Sequence, residues 1–506
     1  MYSTDELMLQ LHRALCDDMT DALQVKGRDF LYGRFTVEEL RNKQFLLHDN
    51  LSPYQYKWGA QINNFLKRYV FENDVISPSE REELTNEKFI KLQTTLATNY
   101  WKQRTTRLHE VLRRARQICT RILSGYEPQG DYHKGQFGQK ATVGCPASQA
   151  YIDEKLLAKP LTGSACHIEW CKTHLVPNDQ LLRDIIAESV KCFQKTVSLA
   201  QVNVPKKYNI DRGINPNTLI GSLYSSSLGR IVQEALKDEG LDIQRLQHRH
   251  GILARRASTK GRLVTADLSD ASHGFLSNIL NALLPRKWYR ACMFGVIRQV
   301  EVDGRVMRLE SVMTMGIGFT FPIQTLLFYC LLKAMADLTG VNGIISVYGD
   351  DLIYPTKLHK FVVGIFADLG FKLNLDKTFV RSPFRESCGS DYFKGDDVRP
   401  FSPEGTWSHI GPKRYAAFCY KLLNGLLARW DSTEIKRCIR LLKFEVLRVM
   451  DELYVVPHHF PVTSGLLTCG SEYKSPVVEN SWMETVAAWQ WDPKMQSFLF
   501  PHLIER

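Results

Sequence analysis

The chain has 506 residues, 44% of them hydrophobic and 24% charged, which calls for two or three packed subdomains and excludes a disordered tether or low-complexity scaffold. A formal net charge of +11 and a pI near 9.0 point to a polyanionic partner, because Lys and Arg displace counterions around phosphates. Charge alone does not separate nucleic acid from an anionic membrane.

The first residues, MYSTDELMLQLHRAL, lack a basic stretch followed by an apolar core, so no secretory export is expected. Twelve cysteines run from Cys16 to Cys469 without a repeating framework, and reduced thiols in a cytoplasm are the simplest reading. From Asn99 to Leu123 a helical pattern carries Lys102, Arg104, Arg107, Arg113, Arg114, Arg116 and Arg121 between Trp101, Leu108, Val111, Leu112 and Ile118. A solvated surface helix and an RNA-facing one fit it equally. The glycine-studded stretch from Gly125 to Gly144 reads as a loop. Cys166, His167, Cys171 and His174 cluster, with spacings that fit no common zinc motif well. No repeat and no Gly/Ser or Pro-rich linker divides the chain, so its parts are expected to interweave.

At Leu263 to Ala266 a short strand leads into Asp267. A helix is expected over about Phe275 to Leu284, ended by Pro285. Gly316 and Gly318 mark a loop. The following stretch, Phe319 to Met335, is very apolar but contains Pro322, Gln324 and Lys333, so it reads as a buried helix and not a membrane span. A hairpin comes next: Ile344 to Tyr348, a turn at Gly349 and Asp350, then Asp351 to Tyr354. A helix from Leu358 to Leu369, capped by Gly370, leads to a strand from Phe371 to Leu375. This order resembles the split βαβ layout of a polymerase palm. Beyond about Pro403 helices are expected over Lys413 to Trp430 and from a Ser432/Thr433 start signal to about Leu453. They carry Lys436, Arg437, Arg440, Lys443 and Arg448, either as a solvated face or as a clamp on duplex RNA.

Two adjacent carboxylates at a hairpin tip repel and raise each other's pKa, which a divalent cation relieves. Tyr348-Gly349-Asp350-Asp351 presents such a pair, and Asp267 joins it if the two strand ends are neighbours. Hard oxygen ligands suit Mg²⁺. Two such ions about 3.5 to 4 Å apart lower the pKa of a primer 3′-hydroxyl and neutralise departing pyrophosphate. That chemistry is nucleotidyl transfer.

Ala266-Asp267-Leu268-Ser269-Asp270-Ala271-Ser272 resembles polymerase motif A, Met315-Gly316-Ile317-Gly318-Phe319-Thr320 motif B, YGDD motif C, and Gly370 to Phe379 motif D. The run Pro383-Phe384-Arg385-Glu386-Ser387-Cys388-Gly389, continuing through Phe393 to Phe401, is very close to the replicases of the single-stranded RNA bacteriophages, the leviviruses of Q-beta type. The similarity is good from about Val204 to Phe401 and loose at both ends. It implies an α+β right-hand polymerase: fingers over 1–261, mostly helical; a palm over 262–402 built on a split βαβ antiparallel sheet; and a helical thumb over 403–506.

The resemblance implies Asp267, Asp350 and Asp351 as ligands of two Mg²⁺ ions, with Mn²⁺ as a substitute, and Lys377 as the proton donor to pyrophosphate. Val204 to Arg212 resembles motif F, which assigns Lys206, Lys207 and Arg212 to the incoming triphosphate. The family often has its second lysine where Asn209 stands. Ser272, Gly316, Thr320 and Gln324 fall where substrate and its 2′-hydroxyl are recognised. Two departures are His273, at a position expected to be acidic, and Ile317, at one usually polar. Implied partners are RNA template and product, ribonucleoside triphosphates, host elongation factors Tu and Ts, an RNA-binding ribosomal protein and Hfq, in the cytoplasm of an infected bacterium. Two other readings compete. A reverse transcriptase usually carries a bulky steric gate that the small Ser272 does not supply. An inactive RNA-binding protein has no need of the three intact aspartates.

Overall fold

The computed structural model describes residues 2–24, 37–42, 45–72, 77–98, 105–128, 160–180, 193–207, 210–406 and 409–468, with short pieces at 135, 138, 141–146, 154–155, 183–184, 490–492, 497–499 and 502–503. In chain order the principal elements are α1 (Thr4–Leu23), α2 (Pro53–Phe65), α3 (Pro78–Thr98), α4 (Thr106–Ile122), β1 (Val202–Lys207), β2 (Ile210–Ile214), α5 (Leu219–Asp238), α6 (Ile243–Lys260), β3 (Leu263–Ala266), β4 (Leu268–Ser269) and α7 (Ser277–Leu283). After these come α8 (Thr320–Thr339), β5 (Ser346–Tyr348), β6 (Asp351–Pro355), α9 (His359–Leu369), β7 (Lys372–Leu373), β8 (Phe384–Ser387), β9 (Ser390–Phe393), α10 (Pro412–Leu427) and α11 (Lys436–Met450). They fall into two compact units: Met1–Ser77 with Lys206–Asn209 and Val398–Arg506, and Pro78–Pro205 with Ile210–Asp397.

The second unit is built on α8. Its apolar residues recur all round the helix, so it is buried on nearly every face, with Ile323, Leu326, Leu327, Phe328, Leu331 and Leu332 fully buried. A helix apolar all round belongs in a core or a membrane. Here α8 is long and apolar enough to cross a bilayer but lies mostly inside the protein, packed against α4 and α5. Gly340 ends it in the left-handed region at φ +64°, as Gly370 ends α9 at +86°, conformations that cost a Cβ-bearing residue about 1 kcal/mol or more.

The basic helix α4 shows where its charges go. Thr105 caps it by accepting from the Leu108 amide at 3.1 Å, and Leu108, Val111, Leu112, Ala115, Ile118, Cys119 and Ile122 form the buried stripe. Arg121 forks onto Glu239 at 2.8 and 2.6 Å, Arg114 binds Asp337 at 2.7 and 3.0 Å, Arg116 donates to the Asn281 carbonyl, and Arg107 lies over the Phe361 ring. These arginines brace the unit. Trp101, Lys102 and Arg104 lie outside the described residues.

The sheet is antiparallel, in the order β5-β6-β3. Leu352 pairs with Ala266 and Ile353 with Thr265 across β6 and β3, while Val347 pairs with Leu352 across the hairpin. Just past Asp267 the chain pairs again, β4 against β7 through Ser269↔Lys372 and Leu268↔Leu373. The strand expected over Phe371 to Leu375 is therefore only two residues long. The Asn374 amide donates to the Asp267 carbonyl at 2.9 Å, and a 3₁₀ turn over Leu375–Lys377 takes the chain out of the sheet. The helix expected over Phe275 to Leu284 occupies Ser277–Leu283, and Pro285 then opens a further helix over Arg286–Met293, Pro being suited to a helix start.

The first unit has its own core, in which Leu7, Leu11 and Leu15 of α1 join Trp58 of α2 and Tyr420, Leu423 and Leu442 of α10 and α11. Trp58 stacks on Trp430 with ring centroids 3.9 Å apart. The Ser432/Thr433 start signal does not cap α11. Asp431 captures Thr433, accepting from its amide at 2.8 Å and from its hydroxyl at 2.6 Å, and closes a local turn. The cap comes from far away in sequence: the buried carboxylate of Asp18 in α1 accepts from the Arg437 and Cys438 amides, both at 3.2 Å, placing negative charge on the helix N-terminus.

Candidate active site

The register of β3 against β6 decides where the aspartates meet. Ala266 stands opposite Leu352, so one step outward Asp267 comes level with Asp351, and Asp350 sits beside them in the β5-β6 turn. Burial is the main cause that pushes the Asp267 carboxyl above its ordinary value; the Lys377 charge opposes this and Asp350 adds to it. Asp351 is pushed up to about 6, first by burial and then by Asp350. Excess negative charge in a partly buried corner of hard oxygen donors is the arrangement a divalent cation relieves, so the residues fit the ions that the sequence implies. Among the described residues, no three His, Cys, Asp or Glu side chains close into a cage around one ion. Cys166 is exposed while Cys171 is buried, so the cysteine and histidine cluster does not assemble.

Neighbouring side chains hold the corner, among them Asn374, Glu386, Ser387 and Arg385, which the sequence left without a role. Asn374 donates from Nδ2 to Asp267 Oδ2 at 3.1 Å. Lys377 Nζ lies 3.2 Å from Glu386 Oε1 and 3.9 Å from Asp267 Oδ2. Burial works against its ammonium, but Glu386 and Asp267 outweigh it and raise the pKa. The Ser387 hydroxyl reaches Asp351 Oδ1 at 3.5 Å, the limit of a hydrogen bond. Arg385, fully buried, donates to the carbonyls of Leu263, Phe384, Val380 and Ser382 and so ties β8 to the strand that delivers Asp267. The Pro383-to-Gly389 run, conspicuous in sequence without a function, is thus the support of the acidic corner.

The turn itself is fixed from α8. Gly349 has φ +64°, and a Cβ there would overlap the Phe321 ring, so only glycine fits. Its buried N–H donates to Thr325 Oγ1 at 2.9 Å, and that hydroxyl donates onward to the Phe321 carbonyl at 2.9 Å. Thr325 was absent from the expected site because a Thr in an apolar helix carries no signal of its own.

The motif B loop is pressed against neighbouring backbone. Gly316 has φ +124°, and a Cβ would overlap the Asn215 carbonyl; a Cβ on Gly318 would stand 2.7 Å from the Ser226 nitrogen. Thr320, Gln324 and Ser272 are buried. The Thr320 hydroxyl donates to the Thr314 carbonyl at 3.0 Å, and Ser272 Oγ lies 3.5 Å from His273 Nδ1. His273 packs edge-on against Phe89, with burial lowering its pKa, and Ile317 packs on the apolar core. Both departures from the family pattern therefore serve packing.

Arg212 is exposed on β2. The side chains of Lys206 and Lys207, and the whole of Asn209, lie outside the described residues. Asn215, just beyond β2, donates from its amide to the Met315 carbonyl at 3.0 Å and from Nδ2 to Gln201 Oε1 at 2.8 Å. The strand pair and the motif B loop are thereby joined.

An antiparallel sheet whose hairpin turn carries an acid pair, with a third aspartate brought level from the next strand, defines the α+β polymerase class. A family model described as RNA replicase, beta-chain, matches residues 6–408. The chain belongs to that family. It is 27% identical over 401 residues to the RNA-directed RNA polymerase beta chain of Enterobacteria phage GA, spanning 78% of this chain and 73% of that one. The corresponding chain of Enterobacteria phage fr is 31% identical over 299 residues, 56% of this chain and 52% of its own. That of Escherichia phage MS2 is 35% identical over 216 residues, 41% and 38%, so these matches span from about three quarters to under half of the relatives' lengths. Among solved structures, the RNA-dependent RNA polymerase of bacteriophage phi12 superposes with TM-score 0.40 at 10% identity, covering 73% of this chain and 67% of that one. An insertion-loop deletion mutant of the enzyme from a human picorbirnavirus gives 0.38 at 11% identity, over 74% and 86%. These superpositions are loose, and the class rests on the sheet and the order of its elements.

Proposed function

We propose that this chain is the catalytic chain that copies a single-stranded RNA phage genome, extending an RNA 3′ end from ribonucleoside triphosphates. The observation that carries this reading is the level placement of Asp267 and Asp351 beside Asp350. Two Mg²⁺ ions held by these carboxylates, or Mn²⁺ in their place, would supply the Lewis acidity that activates the 3′-hydroxyl and neutralises pyrophosphate. Asn374 and Ser387 orient the carboxylates. Lys377, kept protonated by Glu386 and Asp267, gives its proton to the leaving pyrophosphate. Arg212, with Lys206 and Lys207, binds the triphosphate. Ser272, Gly316, Thr320 and Gln324 line the sugar position, the small Ser272 leaving room for a 2′-hydroxyl.

This reading keeps the division into fingers over 1–261, palm over 262–402 and thumb over 403–506. It also keeps the host elongation factors Tu and Ts, the ribosomal protein and Hfq as partners in the bacterial cytoplasm. The test supplies purified chain with those factors, RNA template, Mg²⁺ and either ribo- or deoxyribonucleotides. Template-dependent incorporation of ribonucleotides is expected. RNA binding without extension in the complete mixture would overturn the proposal, and equal use of deoxyribonucleotides would overturn its sugar selectivity.

A further inference from the structure

His250 of α6 is completely buried and belongs to none of the polymerase motifs. Both ring nitrogens are engaged. Nδ1 lies 2.9 Å from Ser387 Oγ, and Nε2 lies 2.9 Å from Ser346 Oγ. Ser346 opens β5, the strand that runs into Tyr348-Gly349-Asp350-Asp351, and Ser387 ends β8 within reach of Asp351 Oδ1. The Tyr348 ring lies 6.2 Å from the imidazole.

Donor and acceptor chemistry gives this chain of groups one direction. An ionised carboxylate only accepts, so in the 3.5 Å contact with Asp351 the Ser387 hydroxyl is the donor, with Cys388 Sγ 3.7 Å away beside the same hydroxyl. Its oxygen then accepts from His250 Nδ1–H, which leaves Nε2 bare to accept the Ser346 hydroxyl. The ring must be neutral for this, and burial, with the neighbouring Arg249 charge adding to it, holds its pKa at about 4. Beyond Ser387 the two-residue turn Cys388-Gly389 has φ +51° and +76°, the signs of a type I′ hairpin turn, and Ser387 and Ser390 close it as a strand pair. The hairpin end that touches Asp351 is therefore a tight turn, and His250 holds the Ser387 hydroxyl within it.

We propose that His250 is a positioning residue for the acidic corner: through Ser387 it orients the Asp351 carboxylate, and through Ser346 it fixes the strand that delivers Asp350 and Asp351. This rests on the proposed metal-binding role of those aspartates. Partners that orient a metal ligand typically change affinity or activity by about 10–100-fold when removed.

The test measures Mn²⁺ binding to the full chain by electron paramagnetic resonance, beside nucleotide addition under the complete conditions above. His250→Phe keeps the ring volume and removes both bonds; it should weaken Mn²⁺ binding by about 10-fold or more. Ser387→Ala should weaken it as well, and the double variant should be no worse than His250→Phe alone, because that variant already breaks the Ser387 arm of the relay. His250→Asn retains a donor near the place of Nδ1 and should bind Mn²⁺ better than His250→Gln, whose amide reaches instead toward Ser346. Should His250→Phe fail to fold, Ser387→Ala and the Asn and Gln pair decide. Wild-type Mn²⁺ affinity in Ser387→Ala, or additive losses in the double variant, would overturn the proposal. A chain that binds Mn²⁺ but never extends RNA sinks the polymerase reading and leaves the metal titration to judge His250.

Discussion

Replacing Thr325 by Val tests whether the acid-bearing turn is held from α8. Thr325 is fully buried, and its Oγ1 accepts the Gly349 N–H at 2.9 Å while donating to the Phe321 carbonyl. Val keeps the side-chain size, so no large cavity forms, but the buried Gly349 N–H loses its acceptor at a cost of about 1–3 kcal/mol. The Phe321 carbonyl keeps its helical bond, and the added methyl offsets part of the loss, leaving a net penalty of about 1–2 kcal/mol. If that penalty falls on the closed turn, the competent population drops by about 5- to 30-fold. Rapid-quench measurement of single-nucleotide addition reads this, with a thermal melt run beside it. Thr325→Ser keeps the acceptor and should retain most of the rate despite a lost methyl. Equal slowing by Val and Ser would refute the reasoning, as would a Val variant that melts early yet adds nucleotides at the normal rate.

Asp350→Asn should lower nucleotide addition by at least about 100-fold with RNA binding intact, since it removes charge where charge develops; filter binding and primer extension check this together. Arg385→Leu strips a charged donor from the carbonyls of Leu263, Val380 and Phe384 and should destabilise the second unit by about 3 kcal/mol or more, read from denaturant unfolding. His12, His167 and His250 each have a folded pKa near 4, lowered chiefly by burial. Between about pH 6.5 and 4 the unfolded chain binds protons that the folded chain does not. Stability is therefore fully present above about 6.5 and falls as pH drops toward 4, by up to roughly 3 kcal/mol for each histidine. His12→Leu should flatten the melting temperature against pH in this window, and an unchanged slope would exclude its contribution.

The elements around the acidic corner were legible in the sequence because each has a local signature: an apolar strand ending at Asp267, glycines at 316, 349 and 370 where positive φ is needed, and an apolar run too long for a strand in α8. The two aspartate-bearing strands could be paired on paper only through the family pattern. What stayed hidden was tertiary in origin. Thr325, Asn374 and His250 are single polar residues whose roles depend on which backbone or hydroxyl stands opposite them, and no spacing rule encodes that. The basic stretch in α4 misleads in the other direction, because Arg114 and Arg121 look free until Asp337 and Glu239 arrive from distant helices. The Ser432/Thr433 signal gave the wrong start for α11 for the same reason, its cap being supplied by Asp18.

That cap has a bearing on how the chain is made. Asp18 leaves the ribosome long before the amides it neutralises, which follow only after the roughly 320 residues that separate Ser77 from Val398. At about 5–20 residues per second, helix α1 waits some tens of seconds for α10 and α11, its later partners in the core, while the sheet that carries the aspartates can already collapse. Synthesis thus imposes an order in which the unit that carries the acidic corner is complete in the chain before the last segment of the other unit emerges.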